Sequence, residues 1–379
     1  MSTGFKFHII QRGCVSNESD GLGIKSCLLN YGCIIADKVE NSDVVIVMTC
    51  GFSKKQFNES IECVLDVANR KRKDARIWVG GCVPAINSNI LKNQPVDIDL
   101  YFTPRTFKKV LENFLKSQLD FMPTSQLDHK SNKYPIRIIN GCTENCTYCV
   151  IKRAGGNALS KPIEVILEEI KHLNDSVNEI ELAGEEIGAY GKDLNEPLTL
   201  LELINKILSL RPSTTISLTA IHPRYFIQEF DMYVELYKNS NIIRTLPIPI
   251  QSGSDAILKK MNRRYTIDSV TEHINRFLKI HPDVKISTDV IVGFSGETWE
   301  DFLLTKSLIE KLPLSALDCF KFDDMKGQGD TVSEDEKIKR LKIIALIFAH
   351  KFFISNDIKN YDNFSAFVQT NRIPLNINL

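Results

Sequence analysis

The chain has 379 residues, enough for two or three domains of ~100–200 residues each. Its 43% hydrophobic and 25% charged content suits a globular protein, and 47 basic residues against 47 acidic ones exclude a globally basic nucleic-acid binder, leaving room for no more than a local patch. The opening MSTGFKFHII is not a signal peptide, and the longest apolar run, 343–349, falls far short of the ~20 residues that span a bilayer, so a cytoplasmic protein with no membrane partner is expected.

In chain order, the first segment alternates strands and helices. Residues 5–11 read as a strand, 20–31 as a helix, 43–48 (DVVIVM) as a buried strand, 57–71 as a helix and 76–79 as a strand. Such alternation argues for a parallel sheet with helices on its faces. Residues 119–135 are polar and irregular and read as a linker. From about residue 134 to 326 six more strands are expected, at 136–140, 179–182, 215–219, 243–248, 285–291 and 316–322. Helices are expected at 163–173, 198–210, 225–237, 254–261, 267–279 and 298–311. Six such units suggest an open, partial (β/α) barrel rather than the full eight. A last helix at about 333–355 precedes a short tail. The fold class is thus α/β: a parallel-sheet domain at 1–125, a partial barrel at 126–330, and a C-terminal helix and tail at 331–379.

Ten cysteines in a chain without export signals are metal ligands, catalytic thiols or core residues rather than disulfides. Cys142, Cys146 and Cys149 form CxxxCxxC directly after the strand 136–140. Three thiolates on one loop can hold three irons of a cubane and leave the fourth iron open to a chelating small molecule. Structural zinc sites usually use four ligands in paired CxxC knuckles, and no second knuckle follows. Cys14, Cys50 and Cys82 each come just after a predicted strand. In an open α/β sheet the carboxyl ends of parallel strands meet at one crevice, so these three thiols can hold a second cluster, again one ligand short. Gly13, Gly51, Gly80 and Gly81 would let the backbone pass close to it. Cys27, Cys33, Cys63 and Cys319 lack that placement and read as core residues.

GCTENCTYC resembles the radical S-adenosylmethionine (SAM) superfamily. That likeness implies SAM at the open iron, cleavage to a 5′-deoxyadenosyl radical, and Tyr148 beside the adenine. Together with QRGCVSNESD, VMTCGF, VGGC, LPIPIQSGSDAILKKMNRRYT and STDVIVGFSGET, the chain resembles the methylthiotransferases, which modify tRNA adenosines or a ribosomal-protein aspartate. The resemblance implies two [4Fe–4S] clusters and two SAM molecules, one for methyl and one for the radical, with an electron donor such as flavodoxin or ferredoxin. At the matched positions it implies SAM contacts at Gly184, Glu185, Ser217, Gln251, Arg264 and Gly293, with Glu185 accepting from the SAM ammonium. It places Asn17 and Asp20 near the second cluster; a helix N-cap is the other reading of these two.

Most members of that family end in a small β-barrel (TRAM) domain that grips the substrate. The residues after Ser355 are too few for five strands of ~5–6 residues with turns. Without it, a peptide or protein side chain is the expected substrate and a tRNA adenosine the alternative. The rival of another class is a non-catalytic iron–sulfur electron carrier.

Overall fold

The computed structural model describes residues 4–115, 132–327, 329–355 and 375–378. By internal contacts the chain forms two units, one of Met1–Glu144 with Cys149–Thr219, the other of Asn145–Tyr148 with Ala220–Leu379.

In the first unit, β1 (Lys6–Gln11), α1 (Val15–Asn30), β2 (Ile34–Ile35), β3 (Val44–Thr49), α2 (Lys54–Arg70), β4 (Arg76–Gly81), α3 (Cys82–Ile86), α4 (Ser88–Lys92), β5 (Leu100–Tyr101) and α5 (Phe107–Leu115) follow in turn. The strands form one parallel sheet in the order β2-β1-β3-β4-β5. All six residues of β3 are buried, as expected of a strand covered on both faces. Phe7, Ile24, Leu28, Trp78 and Phe102 form the core beneath it. Cys27, Cys33, Cys63 and Cys319 are all buried, as their core reading requires.

The same unit continues with β6 (Lys133–Asn140), α6 (Ile151–Gly155), β7 (Leu159–Ser160), α7 (Ile163–Lys171), β8 (Glu179–Gly184), α8 (Leu200–Leu210) and β9 (Thr215–Leu218). Here β6, β8 and β9 are parallel and β7 runs antiparallel on the edge. A capping box of Thr199 and Glu202 starts α8.

The second unit carries α9 (Pro223–Gln228), α10 (Phe230–Leu236), β10 (Thr245–Pro247), α11 (Asp255–Lys260), α12 (Ile267–Ile280), β11 (Lys285–Val292), α13 (Trp299–Lys311), β12 (Leu314–Lys321), α14 (Glu334–Ser355) and β13 (Leu375–Asn378). Its sheet is parallel, in the order β10-β11-β12-β13. The α/β class is as expected, and the six strands of the second segment are all present, three in each of two sheets.

Four expectations need correction. The first helix begins at Val15, not at residue 20: the polar run VSNESD is helical because Ser16, Asn17, Ser19 and Asp20 are buried against β6 and β8 rather than solvated as a loop. The helix expected at 225–237 breaks at Glu229, whose φ of −116° and ψ of 31° leave the helical region. Lys133–Pro135 belong to β6 rather than to a linker, with Pro135 at a position the strand pairing tolerates; the part of that linker at 119–131 lies outside the described residues. The C-terminal tail supplies a strand, β13, parallel to β12.

Candidate functional site

The strands β1, β3 and β4 are neighbours, and their register pairs Gln11 with Met48, Met48 with Gly80 and Thr49 with Gly81. Their carboxyl ends are therefore level. Cys14 is the N-cap of α1, Cys50 follows β3 at once, and Cys82 opens α3. The loops touch through glycine. A Cβ on Gly13, whose φ is +105°, would stand 3.2 Å from the Cys50 Cβ, and one on Gly51 would stand 3.4 Å from the Cys82 Cβ. The amide of Asn17 donates to the carbonyls of Arg12 and Thr49, at 3.2 Å for the latter, and so ties the ends of β1 and β3 together. Its Oδ1 is buried without a partner among the described residues. No side chain caps α1, so the N-cap reading of Asn17 and Asp20 gives way to this bridging role and, for Asp20, to an ion pair.

Cys14 is exposed, Cys82 half-buried and Cys50 buried, so the crevice opens on one side. Burial pushes the Cys50 and Cys82 thiols up, and the nearness of Cys14 adds to both shifts. Crowded thiols, two of which resist ionisation, fit a group that brings its own positive charge. A cubane holds its thiolates at separate corners, an arrangement that three cysteines from three strand ends can supply. Gly13→Ala is expected to cost about 1–3 kcal/mol of stability, because alanine is strained at that φ, and to lower the iron bound at this crevice. Thermal unfolding and iron content of the variant check this.

The second set of cysteines begins two residues after β6. Gly141, at φ +74°, makes the turn; a Cβ there would strike the carbonyl of Gly155 at 2.6 Å. The Cys142 amide donates to the Gly156 carbonyl at 3.1 Å, and the Glu144 amide approaches the Cys142 sulfur at 3.3 Å. α6 follows directly on Cys149 and packs against α3, the helix that Cys82 begins. The middle of the loop, Asn145–Tyr148, belongs to the second unit. There the Thr147 amide donates to the Met261 carbonyl at 3.1 Å, Asn262 to the Asn145 carbonyl at 3.0 Å and Lys326 to the Cys146 carbonyl at 3.1 Å. Tyr148 packs with Ile257, Met261, Ile291, Phe294 and Phe322.

The SAM contacts expected from sequence are differently placed. Glu185 follows β8, and both its oxygens are engaged, one by Arg137 at 2.6 Å and the other by the Gly141 amide at 2.8 Å. It therefore sits beside the turn that leads to Cys142. Gly184 has a packing reason of its own, since a Cβ there would run into Ile139 of β6. Ser217 donates to Glu179 at 2.7 Å. Glu179 starts β8, so Ser217 is engaged at the end of that strand away from Glu185. Gln251 lies at φ +77°, a region costing non-glycine residues about 1–3 kcal/mol, and its buried Oε1 has no partner among the described residues. Gly293, at φ +71°, donates to Glu297 at 2.7 Å and meets the Lys337 side chain. Arg264 is exposed; its neighbour Arg263 is buried instead. Arg263 donates to the hydroxyls of Tyr265 at 2.8 Å and Tyr148 at 3.1 Å and to the Pro249 carbonyl, and it stands 3.8 Å from the Cys146 sulfur.

Two groups of residues escape sequence reasoning. One is Arg137, which joins the expected Asp20 and Glu185 in a single ion cluster and whose only sequence signal is a charge within the apolar strand PIRIIN. The other is a pair of aspartates, Asp289 on β11 and Asp318 on β12, directly opposite each other in register. Val290, Val292, Leu317 and Cys319 point the other way, into the core under α13 and α14. Asp289 and Asp318 thus share the face of Ile291 and Phe320, which join Tyr148 in one cluster. Burial and Asp318 push Asp289 up to about 7, against the pull of Arg263.

Known proteins resemble the chain throughout its length. The profile of the Radical SAM superfamily matches residues 136–309, and that of uncharacterized protein family UPF0004 matches residues 6–103. The ribosomal protein uS12 methylthiotransferase RimO of Carboxydothermus hydrogenoformans is 32% identical over 85% of this chain and 76% of its own. The tRNA-2-methylthio-N(6)-dimethylallyladenosine synthase of Aquifex aeolicus is 30% identical over 94% of this chain and 86% of its own. Among solved structures, the cobalamin-dependent SAM radical enzyme OxsB shares the fold with a TM-score of 0.56 at 13% identity. The match covers 90% of this chain and 56% of that one.

Proposed function

Since the chain belongs to the radical SAM methylthiotransferases, an enzyme family that works with SAM and [4Fe–4S] clusters, we propose that it attaches a methylthio group to a basic peptide or protein segment. We assign one cluster to Cys142, Cys146 and Cys149 and the other to Cys14, Cys50 and Cys82. The division at residues 125 and 330 then separates the part that holds sulfur, the part that holds SAM and a C-terminal helix with its tail. When bound, these cofactors supply a radical able to take hydrogen from a carbon that no side-chain base deprotonates at a useful rate, and sulfur to replace it. The protein's part is to hold them. Level strand ends gather the first three thiols, and Gly141 and Glu185 set the turn into the second three. Tyr148 offers a ring to the adenine, and Gln251, with its buried free oxygen and strained backbone, is the strongest of the remaining candidates for a SAM contact.

The observation that carries the substrate class is the aspartate pair on the Tyr148 face. Asp289 and Asp318 lie side by side, and a cationic side chain entering there would relieve their mutual repulsion. A phosphate backbone would meet the same two carboxylates as a repulsion, and the balanced total charge offers RNA no general attraction. A cytoplasmic location, where thiols stay reduced, and an electron donor such as flavodoxin or ferredoxin complete the proposal. Among the described residues no helix is long and apolar enough to cross a membrane.

The test supplies reconstituted enzyme with SAM, reductant and sulfide, and offers total tRNA in one tube and ribosomal protein in another. We expect a protein-derived peptide heavier by one methylthio group in place of hydrogen. A 2-methylthioadenosine derivative in the digested tRNA, with no modified protein, overturns the proposal.

A further inference from the structure

We propose that Arg137 is a positioning residue whose buried charge is shared by the two cluster-holding segments and sets how readily the cluster at Cys14, Cys50 and Cys82 accepts an electron. The inference rests on the cluster assignment proposed above. Arg137 lies in the middle of β6 and is buried. Its Nε and Nη2 grip the two oxygens of Asp20, each at 2.9 Å, and its Nη1 donates to Glu185 at 2.6 Å. Its own backbone amide donates to Ser19 at 2.9 Å. Asp20 and Ser19 belong to α1, the helix that Cys14 caps. Glu185 passes the connection on to the amide of Gly141, next to Cys142.

One guanidinium therefore touches the first turns of the helix behind one thiol triplet and, through one carboxylate, the turn into the other. The electrostatic reach follows the same lines. Cys14 is among the groups that favour the charged form of Arg137, and at the Cys82 thiol Arg137 pulls down while Glu185 pushes up. A buried arginine with two carboxylates is a costly way to join a helix to a sheet, since apolar side chains of similar volume are often as stable or more so. The arrangement makes sense as a fixed charge. In a low-dielectric interior a cation near a cluster favours its reduced form, and such surroundings are among the levers that set cluster potentials.

The measurement is the midpoint potential of one cluster at a time, by redox titration followed by electron paramagnetic resonance at pH 8. Asp20, which burial pushes up to about 6, is ionised there. In a C142A/C146A/C149A background only the cluster at the strand ends remains. There we expect Arg137→Met to shift its potential downward, Asp20→Asn to shift it upward, and Arg137→Lys, which keeps the charge, to leave it close to the parent. Opposite signs for the two charge removals are the signature, because a merely structural role would not order the shifts by charge. An Arg137→Met protein that holds its iron at the parent's potential overturns the inference. If Arg137→Met does not fold, Asp20→Asn and Arg137→Lys decide: no upward shift in the former, or a shift in the latter as large, overturns it equally. A parent background that binds no iron fails differently, by removing the cluster assignment itself.

Discussion

Replacing Cys14, Cys50 and Cys82 together by alanine is expected to abolish methylthio transfer while release of 5′-deoxyadenosine continues. Iron should fall from about eight atoms per chain to about four. The dissociation of the two activities follows from where the thiols sit. The three lie at the level ends of β1, β3 and β4, and none contributes to the hydrogen bonds that shape the turn at Gly141. The Thr49, Asn17 and Ser60 contacts that brace the crevice run through backbone groups that alanine keeps. The crevice should therefore hold its shape while losing its ligands. Anaerobic iron analysis, quantitation of 5′-deoxyadenosine and mass analysis of the substrate check all three parts. Methylthio product from the triple variant would show that sulfur reaches the substrate from elsewhere. Iron that stays at about four in both proteins would mean that the strand-end thiols never held a cluster.

The crevice was legible in the sequence because two simple regularities coincide there. Strands of a parallel sheet end together, and a cysteine stands just beyond three of them. The CxxxCxxC loop stands out for a similar reason, since its three cysteines are local in the chain. What periodicity missed was polar burial. VSNESD carries no apolar stripe, so it reads as a loop, yet it is the start of α1, because β6 supplies Arg137 to neutralise Asp20 and Ser19 accepts from the same strand. Only the partner's position makes those residues helical, and that position is non-local. The aspartates on β11 and β12 are a like case. Each sits in an ordinary alternating strand, and only the register reveals that they face each other. The two arginines of MNRRYT are alike as residue types, and only the backbone tells them apart. α11 ends at Lys260, and Asn262 then takes a φ of 58°, which resets the direction of every later side chain. Beyond it Arg263 is buried and Arg264 exposed.

That pair of neighbours gives the second large expected effect. Arg263→Met should destabilise the protein by about 3 kcal/mol, because it strips a donor from the half-buried hydroxyls of Tyr265 and Tyr148 and from the Pro249 carbonyl at once. Arg264→Met, at an exposed position, should change stability by no more than about 0.5 kcal/mol. Urea unfolding of the two variants measures the difference, and equal effects would contradict the burial assigned here. The consequence reaches beyond stability. Arg263 holds Tyr148 in place and stands beside the Cys146 sulfur, so its loss should also reduce 5′-deoxyadenosine release in protein that remains folded. It also pulls the Asp289 carboxyl down against burial and Asp318. Without it Asp289 should keep its proton to higher pH, leaving less negative charge beside Asp318 and a weaker hold on a basic substrate. A rise in KM for the peptide on top of the lower rate separates that electrostatic effect from a simple loosening of the loop.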